Sequence, residues 1–281
     1  MNNFDNTLQS VLDYILSKKT KFITSVALIS CIVLLITIFI DDFYTSETRL
    51  TGAEVESAPS GASSIINSLP AGIGGASTLN DSIYEAKEVI YSRDFFKRLI
   101  SYEGVLDALI NPNSYIDDYG LNKISNKEIV MDETFYSAMS NFASALNFDD
   151  VYEYDYFTIE FTHKSPRFAK NILDIIILEL NLQKKDKDID EAKKAVEFLT
   201  QKITTVSNAE VRGSISKLIE SQLKREMIAT MRDEYLVSVI DSPAQPIFKS
   251  GPLRFIIFII TIIISIFLLI PIYAYQAFKQ K

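Results

Sequence analysis

The sequence predicts an α+β protein in which two transmembrane helices flank a mixed α/β base domain with a long protruding helical hairpin. Three observations predict this fold class. Two uncharged apolar runs lie towards the ends of the 281-residue chain, one segment between them alternates apolar and polar residues, and another carries apolar residues at alternating spacings of three and four. These patterns are typical of membrane spans, of a half-buried strand, and of a helix that packs on a single neighbour.

The overall composition limits the classes of function. The formal net charge is −8, which argues against a nucleic-acid-binding protein because such proteins present a basic face to phosphates. The chain has one cysteine, Cys31, and one histidine, His163, so an intrachain disulfide is excluded and a His/Cys metal cluster is not expected. No nucleophile–base set emerges from the pattern. The sequence therefore predicts a non-enzyme with no catalytic residues, no metal and no cofactor.

Both apolar runs are predicted to be membrane-spanning helices. Residues 22–40 and 255–275 contain no charged side chain. At about 1.5 Å per residue, each run covers a hydrocarbon core of roughly 30 Å. The first run is longer than the apolar region of a signal peptide and lacks a small-residue cleavage site after it, which favours an uncleaved anchor.

Flanking charges predict the orientation of the spans. Lysines precede the first run and follow the second: Lys18, Lys19, Lys21, Lys279 and Lys281. The positive-inside rule then places both termini in the cytoplasm. Lys249 and Arg254 lie on the other side of the second span and weaken the rule without reversing it. The residues between the spans are expected outside the cytoplasm, which in a bacterium is the periplasm, with both spans in the inner membrane.

The chain is expected to divide into seven segments. They are a cytoplasmic amphipathic tail (1–21), the first transmembrane helix (22–40), a periplasmic base (41–163) with a Gly/Ala/Ser-rich loop (57–77), a long helical hairpin (164–234), a final strand and proline-rich neck (235–254), the second transmembrane helix (255–275), and a cytoplasmic tail (276–281).

Within the base, residues 151–162 read VYEYDYFTIEFT and predict a strand with Phe157, Ile159 and Phe161 on one face. Ser165 and Pro166 follow, a pair that is typical of a helix N-cap and first helical residue. The next residues, FAKNILDIIILEL, are apolar enough to pack on a sheet. This order of elements predicts a helix that begins on the sheet and then leaves it.

The hairpin is predicted from a helix over residues 167–206, a turn bracketed by Asn208 and Gly213, and a second helix over residues 214–233. Beyond the sheet, apolar residues of the first helix recur at spacings of three and four. They form a helix seam or a subunit contact: Ile189, Ala192, Val196, Leu199 and Ile203. Three interpretations of the charged hairpin arm stay open: binding of glycan, contact with neighbouring subunits, and solvation alone. The narrow seam favours subunit contact.

A proline-spaced neck, DSPAQPIFKSGP, joins the last predicted strand (235–240) to the second span. Pro243, Pro246 and Pro252 each fix φ and lack an N–H donor, which predicts a stiff, extended path with Pro252 in the first turn of the span. The alternative is that these prolines only end a strand and begin a helix.

Other candidate site residues have ordinary structural interpretations. The acidic pairs Asp117–Asp118 and Asp149–Asp150 lack a glycine-turned ligand loop and are interpreted as loop acids. His163 is expected to be a structural histidine, and Tyr273 and Tyr275 to belong to an interfacial aromatic belt. The second span has no GxxxG pair, which gives little basis for tight packing between the spans.

Four stretches, in this order, carry a resemblance to a known family: LDYILSKKTKFI; YTSETRLTG followed by EAKEVIYSRDFFKRLI; FTIEFTHKSPRFAKNILDIIILEL; and LIESQLKREMIATMRDEYLVSVIDSPAQPIFKSGPLR. They resemble the polysaccharide co-polymerase family, the Wzz-type chain-length determinants of lipopolysaccharide O-antigen, and leave residues 111–147 without a clear counterpart. No fused tyrosine kinase is expected.

The resemblance implies an α/β base with a long helix and a homo-oligomeric ring or bell in the inner membrane. It also implies a non-catalytic role in setting glycan chain length. The implied partners are further copies of the chain and a separate membrane polymerase, and a polyprenyl-linked glycan is a further candidate. Two other functions stay open: a capsule polysaccharide export adaptor, which the SETRL and YSRDF stretches also suit, and a two-span sensor or kinase activator, which ranks last.

Overall fold

The structure is a computed structural model that describes residues 16–53, 79–112, 122–124, 129–150 and 156–279. The chain forms two compact units, one of Tyr44–Ile247 and the other of Met1–Phe43 with Phe248–Lys281. Most of the predicted amphipathic tail, the Gly/Ala/Ser-rich loop, the Asp117–Asp118 pair and the first part of the predicted strand at 151–162 lie outside the described residues.

Helices and strands are both present, so the predicted α+β class is confirmed. The smaller unit contains α1 (Lys19–Ile38) and α8 (Arg254–Lys279). The larger unit contains, in chain order, β1 (Tyr44–Gly52), α2 (Leu79–Ile90), α3 (Arg93–Ile100), α4 (Val105–Ile110), α5 (Glu133–Ala145), β2 (Leu146–Asp150), β3 (Phe157–His163), α6 (Pro166–Thr205), α7 (Ala209–Met231) and β4 (Val237–Asp241).

The larger unit is built on a four-stranded antiparallel sheet in the order β2–β3–β1–β4. In β3 every second residue is buried, as the alternation predicts. Asp149 and Asp150 pair with Thr158 and Phe157 in the β2–β3 ladder. Their assignment to a loop was therefore wrong, because the short strand β2 precedes the predicted one.

Phenylalanine rings form the centre of the core between the sheet and its helices. Phe96 of α3 lies 5.2 Å, centroid to centroid, from Phe135 and 5.7 Å from Phe142, both of α5. Phe142 in turn lies 5.9 Å from Phe161 of β3. All four are buried, and burial of one such side chain contributes about 1.5–3 kcal/mol. The core thus joins β3 to α3 and to α5, and α5 lies in the region that the sequence left unassigned.

Helix α6 begins where the sequence predicts. The Ser165 hydroxyl accepts a hydrogen bond from the Phe168 N–H, and Pro166 is the first helical residue. The helix has 40 residues, or about 60 Å at 1.5 Å per residue. Its buried residues lie mainly in the first half, where it packs on β1 and β3, and the second half packs on α7.

The turn of the hairpin is shorter than predicted. Asn208 is the N-cap of α7, and its side chain accepts from the N–H groups of Glu210 and Val211. Gly213, which was expected to bracket the turn, lies inside the helix with nothing within 4 Å of a Cβ built on it. The prediction was wrong because the asparagine cap satisfies the free N–H groups at once, and a solvent-exposed helix tolerates one glycine at about 1 kcal/mol.

In the smaller unit, α1 and α8 are long and apolar enough to cross a membrane, by length and composition. They pack against each other as an antiparallel pair, with Ser30 and Ser265 buried and the rings of Phe22 and Tyr273 edge-to-face at 5.2 Å. Tyr273 lies in the contact between the helices, whereas Tyr275 is exposed. The place of both in an interfacial aromatic belt stays a prediction.

Candidate functional site

The candidate site is the hairpin of α6 and α7, its attachment to the sheet, and the neck that follows β4. Of the five predicted seam residues, Ala192 is fully buried, and Ile189, Val196, Leu199 and Ile203 are half-buried on the part of α6 that packs on α7. The contact with α7 accounts for their spacing, because a narrow apolar stripe covers one neighbouring helix. Their use in a subunit contact stays a prediction.

A buried carboxylate joins the two arms at the root of the hairpin. Asp188 of α6 accepts hydrogen bonds from the Arg225 guanidinium of α7 and from the Tyr235 hydroxyl, each at 2.7 Å. Lys184 lies one helical turn before Asp188 and donates to both carboxylate oxygens of Glu85 in α2, at 2.7 and 2.8 Å. This row of charges connects α7, α6 and α2, so it fixes the direction of the hairpin relative to the helices on the sheet.

Asn181 attaches α6 to the beginning of β4. Its side-chain oxygen accepts from three consecutive backbone N–H groups, those of Tyr235, Leu236 and Val237, at 2.9, 2.7 and 3.0 Å. Its amide nitrogen donates to the Val237 carbonyl at 3.1 Å. Asn181 is buried, so water cannot replace these bonds if the side chain is removed.

Glu179 holds a second charged cluster against the side of α6. It accepts from Lys123 at 2.6 Å, from the Tyr102 hydroxyl at 2.8 Å and from Arg98 at 3.2 Å. Arg98 also pairs with Asp186 at 3.1 Å, two turns nearer the hairpin. The cluster therefore holds α3 and the short segment around Lys123 on the same helix that forms the hairpin.

Burial and hydrogen bonding shift the pKa values in these two clusters. Burial alone would raise the pKa of the Glu179 carboxyl, but the hydrogen bonds from Lys123, Tyr102 and Arg98 outweigh it, and the pKa is lowered. Burial and the adjacent carboxylates raise the pKa of the Tyr102 and Tyr235 hydroxyls. Glu179 is therefore charged, and both tyrosines act as donors, across the neutral pH range.

One face of α7 is apolar and exposed. Leu223, Met227 and Met231 recur every four residues and are 48%, 56% and 78% exposed. Residues at this spacing lie on one side of a helix. Ala229 and the half-buried Leu218 lie on the side that packs on α6. We call these three exposed residues the α7 stripe.

The first part of the neck lies alongside β1. The buried hydroxyls of Ser46 and Thr48 donate to the backbone carbonyls of Ala244 and Asp241, at 2.8 and 2.7 Å. Pro243, which lies between Asp241 and Ala244 in the chain, is buried, and Pro246 is half-buried. The chain therefore stays beside β1 for three residues after β4. The stiff, extended path expected from the neck prolines stays a prediction.

Pro252 lies outside the second apolar helix, which begins at Arg254. It was expected in the first turn, but its carbonyl accepts from the Arg254 N–H at 2.9 Å.

His163 has a partner at each ring nitrogen: Nε2 lies 3.2 Å from the Ala108 carbonyl, and Nδ1 accepts from the Ser165 N–H at 3.0 Å. Burial lowers the pKa of His163, which agrees with a neutral, structural histidine. Cys31 is exposed on α1.

Polar residues on the buried side of α6 are what sequence reasoning missed. Glu179, Asn181 and Asp188 lie in ILELNLQKKDKDID, a stretch interpreted only by its apolar periodicity. One signal was present, because Glu179 follows the buried Ile172 and Ile176 at spacings of seven and three, on the same side of the helix. Their partners come from distant segments, which no local pattern predicts.

The hydrogen-bonded clusters described above anchor the hairpin to the rest of the larger unit. Among the residues that the structure describes, no group of three or more His, Cys, Asp or Glu could hold a metal ion. The polar clusters are saturated by one another and fix the positions of α6, α7 and β4. The α7 stripe is one exposed apolar surface of the hairpin.

Comparison with known proteins gives two structural similarities. The chain is similar to a full-length bacterial polysaccharide co-polymerase, with a TM-score of 0.39 and 11% identity over 96% of both chains. It is similar to a fragment of WzzB, a polysaccharide co-polymerase from Salmonella Typhimurium, with a TM-score of 0.33 and 10% identity over 75% of this chain and 100% of that one. No family model and no curated protein matches the sequence. TM-scores this low do not establish a shared fold, and the α+β class rests on the elements described above.

Proposed function

We propose that this protein is a non-catalytic inner-membrane regulator of polysaccharide chain length that acts as a homo-oligomer beside a separate polymerase. The observation that carries the proposal is the combination of two terminal apolar helices with an intervening α+β unit whose longest helices form a hairpin. The order of the four sequence stretches that resemble the Wzz-type determinants supports the same function. Lipopolysaccharide O-antigen is the proposed polymer, and the larger unit is proposed to lie in the periplasm.

The geometry suits a regulator that presents a surface. The hairpin is anchored at its root by Asp188 and Asn181, each bonded to segments outside α6. Such anchoring fixes where the outer sides of α6 and α7 point, and a fixed surface is what repeated copies need in order to assemble with one symmetry.

The function is tested by deleting the gene and separating the surface polysaccharide by length on a gel. We expect the cluster of preferred chain lengths to disappear while polymer is still made. An unchanged ladder contradicts the proposal. Loss of surface capsule, with polymer retained inside the cell, favours the export adaptor instead.

Self-association is expected to depend on the α7 stripe. Its exposed apolar side chains are costly in water, and a second copy is the proposed cover. Replacing Leu223, Met227 and Met231 by serine should lower the particle mass in detergent from that of an oligomer towards that of a single 31.8 kDa chain.

The matched control for the stripe is serine at Thr200, Gln201 and Thr204, three exposed polar positions on α6. These changes remove no exposed apolar surface, so the particle mass should stay that of the original protein. If the stripe variant keeps the oligomer mass while its helix content is unchanged, the stripe is not the contact.

The neck is expected to affect chain length. Replacing Pro243 and Pro246 by alanine frees two fixed φ angles in the segment that Ser46 and Thr48 hold on β1. We expect the distribution of chain lengths to shift or broaden while the protein still inserts. Pro112→Ala, at a connection after α4, serves as a control without effect. A wild-type ladder from the double variant would mean that these prolines only end one element and begin the next.

A further inference from the structure

Arg254 occupies a position that helix electrostatics disfavours. It is the first residue of α8, where the helix macrodipole is positive and a cation is destabilising. The sequence also places it, with Lys249, on the side of the second span where the positive-inside rule expects few cations. A residue that breaks two local rules calls for a compensating interaction.

The compensating interaction lies at the end of α1. The Arg254 guanidinium donates through Nε to the Thr37 carbonyl at 3.2 Å and through Nη2 to the Ile40 carbonyl at 3.1 Å. These carbonyls belong to the last turn of α1 and the residues just after it, where backbone acceptors lack helical partners and the macrodipole is negative. The charge of Arg254 is thus disfavoured by its own helix and stabilised by the neighbouring one.

Asp42 and the backbone complete the contact. Arg254 Nη2 lies 3.0 Å from an Asp42 carboxylate oxygen, and Lys249 lies 3.3 Å from the same atom. The Phe43 N–H donates to the Gly251 carbonyl at 2.9 Å, and the Ser250 N–H donates to the Phe43 carbonyl at 2.8 Å. The segment after α1 and the segment before α8 are therefore paired by main chain, by Asp42 and by the guanidinium, and the exposed Lys249–Asp42 pair contributes little.

We propose that Arg254 is a clamp that sets the register of the two apolar helices by binding the C-terminal carbonyls of α1 and the carboxylate of Asp42. Farther along the pair, the buried side chains include Ser30, Ser265 and Leu269, and the Phe22–Tyr273 ring contact lies at the opposite end. Apolar surfaces can slide along one another at little cost, but a planar guanidinium that reaches three oxygens fits only one register.

The clamp gives a structural role to the two cations on this side of the second span. Lys249 and Arg254 both lie next to the Asp42 carboxylate, at 3.3 and 3.0 Å. Their position is therefore explained by pairing between the two segments.

The clamp is tested by a disulfide between the two paired segments. In full-length protein with Cys31→Ala, cysteines are placed at Phe43 and Gly251, which face each other across an antiparallel bridge. Paired residues of this kind lie about 4.5–5.5 Å apart between Cα atoms, within disulfide range, and a Cβ built on Gly251 meets nothing within 4 Å. The rate of disulfide formation in membranes under a mild oxidant reports how often the segments are in register.

We expect Arg254→Leu to slow disulfide formation on the order of tenfold, because the charged hydrogen bonds are lost. Arg254→Lys keeps the charge without the planar fork and should give an intermediate rate, and Asp42→Asn should do the same because the two carbonyl contacts remain. Lys249→Gln removes one exposed pair and is the control with an unchanged rate.

Equal rates in the Arg254→Leu protein and the control overturn the proposal. If Arg254→Leu does not accumulate in membranes, the two milder variants provide the test. The proposal is also overturned if Arg254→Lys and Asp42→Asn both form the disulfide at the rate of the Lys249→Gln control. The readout involves no polysaccharide, so its outcome is separate from that of the proposed function.

Discussion

Replacing Asn181 by leucine is expected to destabilise the protein more than any other single change considered for the hairpin. Leucine keeps the approximate shape but leaves the N–H groups of Tyr235, Leu236 and Val237 without their acceptor. A buried donor without a partner costs about 1–3 kcal/mol, and the three are neighbours whose costs do not add fully. We expect the free energy of unfolding to fall by about 3–5 kcal/mol, measured by thermal or denaturant unfolding of the full chain in detergent.

Asn141→Ala is the matched control for this change. Asn141 is exposed and donates one hydrogen bond, to the Leu109 carbonyl at 2.9 Å. Its loss should cost about 0.5–1.5 kcal/mol. If the two variants unfold at the same denaturant concentration, Asn181 does not hold β4 on α6 in the way that its bonds indicate.

Glu179→Leu is the second change with a large expected effect. It removes the carboxylate that accepts from Arg98, Tyr102 and Lys123. The two cations are partly exposed and can regain water, but the Tyr102 hydroxyl is buried. We therefore expect a loss of about 3 kcal/mol, at the lower end of the cost of breaking a buried charge pair. The control is Asp186→Asn, which removes the exposed outer partner of Arg98 and should cost less than about 1 kcal/mol.

The same carboxylate gives the stability a defined pH dependence. Because hydrogen bonds lower the pKa of folded Glu179 below its ordinary value of 4.5, folding favours the ionised form. The resulting stabilisation is fully present above the pKa that Glu179 has in the unfolded chain. It is lost as the pH falls through the lower pKa that Glu179 has in the folded protein. Comparing the wild type with Glu179→Gln from pH 7 to pH 3, we expect their stabilities to converge at the acidic end. A constant difference over this range contradicts the account of Glu179.

Patterns among consecutive residues predicted β3, the beginning of α6 and the two apolar helices. The alternation in β3, the Ser165–Pro166 helix start and the uncharged runs of the two apolar helices all reflect interactions within a few residues. The seam of α6 was also readable, because its spacing reports one neighbouring helix. Each of these features is set by backbone geometry and by which side of an element is buried, and both are encoded in consecutive residues.

The features that were missed depend on residues far apart in the chain. Asp42 and Arg254 bond across 212 positions, and the partners of Glu179 lie 56 to 81 positions away from it (Lys123 to Arg98). The residues around Asp42, Arg254 and Glu179 show no local pattern that would predict these partners. Helix α5 was unassigned because it lies in residues 111–147, the region without a clear counterpart in the family that the chain resembles. Strand β2 was missed because it is only five residues long and ends in an acidic pair that was interpreted as a loop.

The central claim is that this protein sets polysaccharide chain length without making the polymer, and one measurement tests both parts. In a strain that lacks the gene, total surface polysaccharide and its length distribution are measured together, before and after the wild-type chain is restored. We predict that total polymer changes little while the preferred length is lost and then regained, because a chain-length regulator redistributes polymer that a separate polymerase makes. Loss of nearly all polymer, or a length distribution that does not respond to the protein, would contradict it.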